Sequence, residues 1–299
     1  MKHIVLAMLA LFSLPLVVTA GESGPEGIPS LFVSTDWLVK HLNDDDLVLL
    51  HAHWTNGGYR KAGHIPGARF LWLNSLSKDT PERSTEMPSA ENARSVLKDL
   101  GITDRSKIVV YFEGQNLTMA ARMILTFTYL GLGDRVSLLD GGIEAWKREG
   151  RPITKDIPAI KPGSFAPKLH PEVVADAEWV QKHLTDSGVT IIDARATRFY
   201  DGSSGPPSGG HIPQAVNIPF SSMVDSTNKI LGPEALQQIF VKAGVKLGNQ
   251  VVTYCHVGQQ ATLVYLAAKY IGYNARVYDG SFEDWSDRDL PIENPSQKK

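Results

Sequence analysis

Apolar positions along the chain fall in short runs that alternate with longer amphipathic stretches. Runs such as Leu49–His53, Ile108–Phe112 and Val251–Cys255 lead into loops, which is typical of short buried strands. Stretches 89–100 and 233–243 have the pattern of helices, and each is followed by a glycine. Strands that alternate with helices predict an α/β fold with a parallel sheet and helices on both of its faces.

The same series of elements occurs twice in the chain. The matching segments, first unit before second, are Ser34–Leu42 and Asp176–Leu184, Leu49–His53 and Ile191–Arg195, Gly63–Ala68 and Gly210–Ala215, Ile108–Phe112 and Val251–Cys255, and Leu139–Trp146 and Tyr278–Trp285. The offset is nearly constant, since Trp179 lies 142 residues after Trp37 and Cys255 lies 143 residues after Phe112. The repeat therefore predicts two tandem domains of one architecture.

Domain boundaries follow from this repeat. The N-terminal domain is expected to cover residues 21–150 and the C-terminal domain residues 172–295. Residues 151–171 contain five prolines and little periodicity. We expect this segment to be an extended linker that runs over the surface.

The first 20 residues differ from the rest of the chain. A short basic start precedes the apolar run Ile4–Leu14, which is too short to span a bilayer, and small residues follow at Val18–Ala20. This pattern predicts a secretory signal peptide over residues 1–20 that is cleaved after Ala20. The mature protein is then expected in the periplasm or secreted, without stable membrane insertion. An uncleaved membrane anchor is the alternative.

The overall charge argues against nucleic acid as a partner, and the cysteine count bears on whether the thiol has a function. The formal net charge is −2, with no long basic run, so nucleic acid is not expected as a partner. The chain has one cysteine and cannot form an internal disulfide. Because a lone thiol is a liability in an oxidising compartment unless it is buried or used, this count weakly favours a working thiol.

That cysteine, Cys255, lies where a predicted strand ends and the loop His256–Gln260 begins, just before a helix. Such a loop turns several backbone N–H groups toward one point, and the helix dipole adds positive potential. We therefore expect the pKa of the thiol to fall from about 8.5 into the range of roughly 3.5–7.5. The stretch alone leaves open that Cys255 is a small buried apolar residue. Phe112 occupies the corresponding position in the first unit.

Taken together, the two units resemble the tandem-domain rhodaneses of exported bacterial type, which are sulfurtransferases. The resemblance covers nearly the whole mature chain and is specific because weak motifs recur in one order and spacing. These motifs are Asp193-Ala194-Arg195, Arg198-Phe199-Tyr200, Gly210-His211-Ile212-Pro213, the Cys255 loop, and Tyr278-Asp279-Gly280 with Trp285. The resemblance implies two tandem rhodanese-like domains, of which the N-terminal one has lost its nucleophile and the C-terminal one is catalytic.

The resemblance also implies a reaction. Cys255 attacks the outer sulfur of a small anionic donor, such as thiosulfate or a mercapto acid, and becomes a persulfide. A thiophilic acceptor such as cyanide or a thiol then removes that sulfur. Loop N–H groups can stabilise the negative charge without a metal, so we expect no metal and no cofactor beyond the covalent persulfide. We also expect a monomer.

Roles for residues around the thiol follow from the same resemblance. Arg198 corresponds to an arginine that binds the anionic substrate, and a guanidinium suits a sulfonate or carboxylate; a surface arginine is the alternative. Asp193 and Arg195 are expected to support the loop, with Asp193 hydrogen-bonded to it from below. The residues expected to bind substrate from the loop itself are His256, Val257, Gly258, Gln259 and Gln260.

Three aromatic or imidazole side chains outside that loop also match the family. Trp54 corresponds to a tryptophan that walls the active-site cleft, although a plain core tryptophan is the alternative. His64 and His211 are expected to be structural and to pack the Gly-His-Ile-Pro turn of each unit.

The loop sequence leaves the sulfur donor open. Relatives that prefer thiosulfate often carry basic residues just after the cysteine, where this chain has His256 and Val257. Relatives that prefer 3-mercaptopyruvate carry Cys-Gly-Ser-Gly, and this chain lacks that serine. The missing serine favours thiosulfate or another inorganic or thiosulfonate donor, with 3-mercaptopyruvate as the alternative.

Three other functions require residues or properties that this chain can be compared with. A cysteine-dependent phosphatase needs an arginine six residues after the cysteine, where this chain has Ala261. A cysteine protease needs a histidine that faces the thiol, and His256 is poorly placed for that role. A non-catalytic binding or sulfur-carrier module remains as the alternative from a different class, although an intact Cys255 loop argues against it.

Overall fold

The computed structural model describes residues 30–77, 86–205 and 208–297, and its two halves repeat one order of elements. The strands of the first half are β1 (Phe32–Val33), β2 (Leu47–His53), β3 (Arg69–Trp72), β4 (Lys107–Tyr111) and β5 (Val136–Leu139). Its helices are α1 (Thr35–His41), α2 (Ala90–Asp99), α3 (Leu117–Phe127) and α4 (Gly142–Arg148).

The second half follows the same plan with one additional short helix. Its strands are β6 (Val174–Ala175), β7 (Val189–Asp193), β8 (Val216–Asn217), β9 (Gln250–Tyr254) and β10 (Asn274–Tyr278). Its helices are α5 (Ala177–Lys182), α6 (Thr197–Tyr200), α7 (Pro233–Lys242), α8 (Ala261–Tyr270) and α9 (Ser281–Asp287). Short 3₁₀ or π turns occur at Gly58–Ala62, Leu73–Leu76, Thr128–Leu132, Pro171–Val173, Phe220–Met223 and Pro295–Gln297.

Each half forms a five-stranded sheet in which all neighbouring strands are parallel. The strand orders are β1-β5-β4-β2-β3 and β6-β10-β9-β7-β8, so β4 and β9 are the central strands. The predicted α/β class is confirmed.

Alternate residues of the strands point into different apolar layers, as the period of two of a strand requires. Val109 and Tyr111 of β4 belong to a cluster confined to the first half, and Val252 and Tyr254 of β9 belong to its counterpart in the second. In contrast, Ile108, Val110 and Phe112 share one large cluster with Val251 and Cys255. Helices α3 and α8 pack against each other within this shared layer. The two domains are therefore joined through a common core.

The predicted helix starts are confirmed by their caps. The Ser34 hydroxyl accepts a hydrogen bond from the Trp37 N–H at 3.1 Å, and the Asp176 carboxylate accepts one from the Trp179 N–H at 2.7 Å. These contacts satisfy donors that the first turn of a helix leaves unpaired.

The segment between the domains is extended and is attached to the first domain. Thr154 exchanges two backbone hydrogen bonds with His64, at 2.8 and 2.9 Å, and the Gly163 N–H donates to the Lys98 carbonyl at 2.7 Å. Phe165 is buried in the shared apolar layer. The segment thus contributes to the packing of the domains in addition to connecting them.

The predicted signal peptide lies outside the described residues. Within residues 30–77, 86–205 and 208–297, no helix is long and apolar enough to cross a membrane.

Candidate active site

Cys255 lies at the carboxyl end of the central strand β9, where the chain turns into the loop before α8. Its side chain belongs to the shared apolar layer and is 1% exposed. The carboxyl ends of parallel strands are the usual location of ligand sites in such sheets. The loop that follows Cys255 is therefore the part of the chain from which a ligand site at this sulfur would be built.

The backbone of Cys255 is fixed by the turn between β10 and α9. The Cys255 N–H donates to the Ser281 hydroxyl at 3.2 Å, and that hydroxyl donates to the Tyr278 carbonyl at 2.8 Å. The Phe282 N–H donates to the Cys255 carbonyl at 3.0 Å. These contacts leave the thiol side of the residue facing the loop.

Ser281 was missed in the sequence analysis, although a signal for it exists. Its φ is 54°, in the left-handed region that non-glycine residues seldom adopt. The equivalent residue of the first unit is Gly142, with a φ of 59°. A serine where the repeat has a left-handed glycine indicates that the hydroxyl compensates for the strain, here by binding Cys255.

The direction of the thiol pKa differs from the sequence-based expectation. Burial raises the pKa of the Cys255 thiol above its ordinary value, and the nearby Asp193 charge acts in the same direction. Backbone N–H groups of Ala261, Val257 and Gln260 oppose this effect but do not overcome it. The expected convergence of N–H groups on the sulfur is present. The expected lowering of the pKa is wrong, because the desolvation of the buried thiol outweighs the hydrogen bonds from the loop N–H groups.

Asp193 supports the site in a different way from the one expected. Its carboxylate accepts from the Arg195 guanidinium, with an Nη2–Oδ2 distance of 2.6 Å, and from the Tyr254 hydroxyl at 2.8 Å. Arg195 also donates to the Gly210 carbonyl at 2.6 Å and stacks over the Phe282 ring. Asp193 thus pins the residue before Cys255 instead of hydrogen-bonding to the loop from below.

Arg198, Phe199 and His256 form a stack at the edge of the loop. The exposed Arg198 guanidinium lies over the Phe199 ring at 4.7 Å, and that ring meets His256 edge-on at 4.6 Å between centroids. Burial, together with the charges of Arg195 and Arg198, lowers the pKa of His256. The imidazole is therefore neutral at neutral pH, and Arg198 is the cation of this stack.

The four other loop residues face the N-terminal domain or solvent. Gly258 is buried with a φ of 76°, and the Gln259 amide donates to the Thr118 hydroxyl of α3 at 3.1 Å. Val257 and Gln260 are half-buried. The loop is thus held on one side by its own domain and on the other by α3.

Trp54 borders a groove between the domains and is 37% exposed, so the core alternative is wrong. The same groove is lined by Gln259 of the loop and by the apolar side chains Leu73, Met119 and Met123. The structure therefore brings Trp54 and one loop residue to a common surface.

His64 and His211 are structural, as expected. They stack on Tyr59 and Tyr200, each with ring centroids 3.8 Å apart, and each Nδ1 lies within hydrogen-bond distance of a carbonyl of its own unit. In the part of the chain that the structure describes, no group of three or more His, Cys, Asp or Glu residues is placed to hold a metal ion.

Residues 34–149 and 176–288 each match the rhodanese-like domain. The chain belongs to the rhodanese-like domain family. The expectation of two tandem rhodanese-like domains is confirmed, whereas the exported type remains a prediction.

Several relatives match this tandem rhodanese-like chain along most of their length. The 3-mercaptopyruvate sulfurtransferase of Escherichia coli (strain K12) is 30% identical over 276 residues, which cover 88% of this chain and 97% of that protein. The thiosulfate sulfurtransferase of Rattus norvegicus is 30% identical over 284 residues, covering 89% and 95%. A solved 3-mercaptopyruvate sulfotransferase structure from Escherichia coli has a TM-score of 0.75 and 28% identity, covering 85% and 99%.

The N-terminal rhodanese-like domain shows what replaced the thiol in the first unit. Phe112 follows the central strand β4 and is fully buried. His51 stands where the other domain has Asp193, and its Nε2 lies 3.7 Å from Glu113 Oε2. Burial lowers the pKa of His51 to about 3, so this imidazole is neutral. The domain therefore lacks both the nucleophile and the carboxylate–arginine support.

The same domain contributes Arg122, which the sequence analysis missed. Arg122 lies on α3 and forms an ion pair with Asp279 of the C-terminal domain. Its Nη1 also donates to the Gly258 carbonyl at 3.4 Å. The sequence carried no local signal for this role, because Arg122 and Cys255 are far apart in the chain and belong to different units.

Proposed function

We propose that this protein is a sulfurtransferase that moves a sulfane sulfur from a small anionic donor to a thiophilic acceptor through a persulfide on Cys255. The observation that carries the proposal is the position of Cys255 at the point where the N–H groups of Val257, Gln260 and Ala261 act on its sulfur. Such donors stabilise charge that develops on sulfur without reorganisation of solvent. The relatives named as sulfurtransferases support the same conclusion.

The proposed reaction has two steps. The thiolate of Cys255 attacks the outer sulfur of thiosulfate, the sulfur–sulfur bond of the donor breaks, and sulfite leaves with the bonding electron pair. Cyanide or a thiolate then attacks the outer sulfur of the persulfide, and the Cys255 thiolate departs. Both steps place negative charge inside the loop, which is the charge that its N–H groups favour.

The preferred donor is proposed to be thiosulfate or a related inorganic or thiosulfonate anion. Arg198 is the exposed cation beside the loop and suits an oxyanion. The second candidate is 3-mercaptopyruvate, favoured by the relative of that name from Escherichia coli. A comparison of kcat/KM for the two donors, with a phosphate ester as a control, tests this choice.

The decisive experiment compares the wild-type protein with Cys255→Ser. Transfer of sulfur from thiosulfate to cyanide is expected for the wild type and absent in the variant. Mass spectrometry of the donor-treated wild type should show one added sulfur atom on Cys255. Equal activity of the two proteins would refute the proposal. Loading without turnover for any acceptor would support a sulfur-carrier module instead.

We further propose that the protein is exported and works as a monomer, without a resident cofactor. The predicted signal peptide supports export, and loop N–H groups that can stabilise charge without a metal support a site without a cofactor. N-terminal sequencing of the mature protein should begin at Gly21. A mature chain that begins at Met1 would contradict export by cleavage.

A further inference from the structure

Arg122 is a buried charge with two partners in the other domain. Every residue of α3 is buried, and Arg122 itself is 4% exposed. A guanidinium in such surroundings is costly unless it is paired and hydrogen-bonded. These two partners are the Asp279 carboxylate, at the end of β10, and the Gly258 carbonyl, in the Cys255 loop. One side chain of the N-terminal domain thus reaches the loop that surrounds the sulfur.

Gly258 lies directly against Arg122 and Asp279, which form the ion pair. Its φ of 76° favours glycine, and a Cβ added there would lie 2.5 Å from the Asp279 carbonyl oxygen and 3.1 Å from Arg122 Nη1. The loop therefore passes between the arginine of one domain and the β10–α9 turn of the other. Its carbonyl at Gly258 is directed to Arg122.

The direction of that carbonyl matters for the chemistry of the sulfur. A trans peptide is planar, and its C=O and N–H point in opposite directions. A carbonyl held toward Arg122 keeps its partial negative charge away from the inside of the loop and turns the Gln259 N–H to the opposite side. If the peptide rotated, a carbonyl dipole would face a sulfur anion, which electrostatics disfavours.

A comparison of the two units shows that the arginine occurs only in the helix that faces the Cys255 loop. Tyr265 of α8 is the residue that corresponds to Arg122, at the offset of 143. The reciprocal carboxylate, Asp140 at the end of β5, accepts from the Ile230 N–H at 2.8 Å. Asp140 thus joins the domains on the other side through a backbone group and not through a guanidinium.

We propose that Arg122 is a positioning residue for the Cys255 loop, and that the N-terminal domain, although it lacks a nucleophile, completes the active site through it. Arg122 holds the Gly258 carbonyl and Asp279 so that the loop N–H groups remain directed at the sulfur. This role rests on the proposed sulfur transfer and specifies which residue outside the catalytic domain it requires.

The test uses the full-length protein and exploits its single cysteine. The variants are Arg122→Met, which removes the charge, Arg122→Lys, which keeps it, and Asp140→Asn, the matched control at the other interdomain contact. Alkylation of Cys255 by iodoacetamide is measured as a function of pH, and kcat and KM are measured for sulfur transfer. Asp193, Arg195, Arg198 and His256, the other charged or titratable groups around the thiol, are unchanged in all three variants.

Arg122→Met is expected to move the alkylation profile to higher pH, so that the rate near neutral pH falls about tenfold for each unit of the displacement. Its kcat should fall more than its KM rises, and Arg122→Lys should recover part of both. Asp140→Asn should keep the wild-type profile. A profile of Arg122→Met that superimposes on the wild type, or an equal displacement in Asp140→Asn, would overturn the proposal.

A folding defect is separated from a loop defect by a double variant. Arg122→Met leaves the half-buried Asp279 carboxylate without its cation, whereas Arg122→Met/Asp279→Asn also removes that unpaired charge. The double variant is expected to regain thermal stability but to keep the displaced alkylation profile. Recovery of both would show that Arg122 has only a structural role. Because alkylation needs no donor, it tests Arg122 even if the wild type fails to transfer sulfur.

Discussion

At the scale of single residues, the Cys255 thiol is subject to two opposing effects. Desolvation favours the neutral thiol, and the surrounding N–H groups favour the anion. Burial is the larger effect in this structure, which protects the sulfur at rest. The loop donors act fully only when charge is present, that is, during attack on the donor and in the persulfide.

The raised pKa of Cys255 predicts a pH dependence of stability. A group that binds its proton more tightly in the folded state stabilises the fold below its unfolded pKa, which is about 8.5 for cysteine. It loses this contribution as pH rises through the folded pKa. The difference in unfolding free energy between wild type and Cys255→Ser should therefore decline above pH about 8.5, by at most about 1.4 kcal/mol per pH unit. Urea denaturation from pH 7 to 10 measures it.

The buried tyrosines contribute equally to the pH dependence of stability in both proteins. Their contribution therefore cancels in the difference between wild type and Cys255→Ser. A difference that stays constant or grows with pH would mean that the thiol pKa is not raised in the folded state.

Gly258 predicts a matched pair of substitutions. Gly258→Ala should cost about 1–2 kcal/mol for the left-handed backbone alone, and its Cβ must also displace the Asp279 backbone. We expect sulfur transfer to fall roughly 10- to 100-fold in kcat/KM, because the loop donors are misdirected. Gly114, in the corresponding loop of the first unit, also has a positive φ, of 61°, but a Cβ there meets nothing within 4 Å.

Gly114→Ala should therefore lose a similar backbone contribution to stability and keep wild-type kcat/KM. Thermal melts and steady-state kinetics on both variants distinguish the two effects. Equal losses of kcat/KM in the two variants would show that the left-handed backbone, and not the steric contact with Asp279, accounts for the effect of Gly258→Ala.

Single residues differ in how far the sequence reveals them. Cys255 was identifiable because it is the lone thiol and because Phe112 stands in its place in the first unit. Ser281 needed knowledge of its backbone conformation, which only the comparison with Gly142 suggests. The raised thiol pKa could not be predicted, since burial depends on how the other domain covers the loop.

At the scale of elements, the ends of β7 and β9 are tied together by one buried network. Asp193 ends β7, Tyr254 ends β9, and the Asp193 carboxylate binds both Arg195 and the Tyr254 hydroxyl. Both members of the Asp193–Arg195 pair are fully buried. The network fixes the strand end from which the Cys255 loop departs.

The ion pair and the tyrosine hydrogen bond of Asp193 should contribute unequally to the unfolding free energy. Asp193→Asn leaves the Arg195 charge buried without its counter-ion and should lower the unfolding free energy by about 3–5 kcal/mol. Tyr254→Phe removes hydrogen bonds but leaves the ion pair, and it should cost roughly 1–3 kcal/mol. Denaturant titration of both variants measures the order. A Tyr254→Phe variant that is less stable than Asp193→Asn would show that the hydroxyl, not the ion pair, dominates.

Most elements were predictable from local patterns, because strands end in turns and helices begin at caps such as Ser34 and Asp176. The details of the Asp193 network were not. Its place in the motif with Arg195 indicated support of the site, but the sequence cannot show that the carboxylate faces Tyr254. That contact depends on the pairing of β7 with β9, which are about 60 residues apart.

At the scale of the whole molecule, the two domains share the largest apolar cluster. It includes residues of both central strands and of the helices α3 and α8. Separation of the domains would expose this layer to water, and apolar exposure costs about 25 cal/mol per Å². The domains are therefore expected to unfold together.

Calorimetry should accordingly show one transition for the described fold, with calorimetric and van't Hoff enthalpies that agree. Asp193→Asn, whose site lies entirely in the C-terminal domain, should shift the whole transition to lower temperature. Two resolved transitions in the variant, with the N-terminal domain melting as in the wild type, would contradict this coupling.

The tandem architecture was predictable because the repeat is written in the sequence, but the relation between the units was not. Arg122 shows the limit most clearly. Nothing in the sequence around it indicates that it meets Asp279 and Gly258, since this contact exists only after α3 packs beside the other domain.

The packing of α3 on α8 brings together equivalent helices of two copies of one unit. A contact between identical surfaces is isologous, the kind that joins homodimers about a two-fold axis. A chain with a single such unit would need a second copy to cover its apolar layer. Fusion of the two copies in one chain removes the requirement that they be identical. One half can therefore lose its nucleophile while its helix α3 remains packed against the other half.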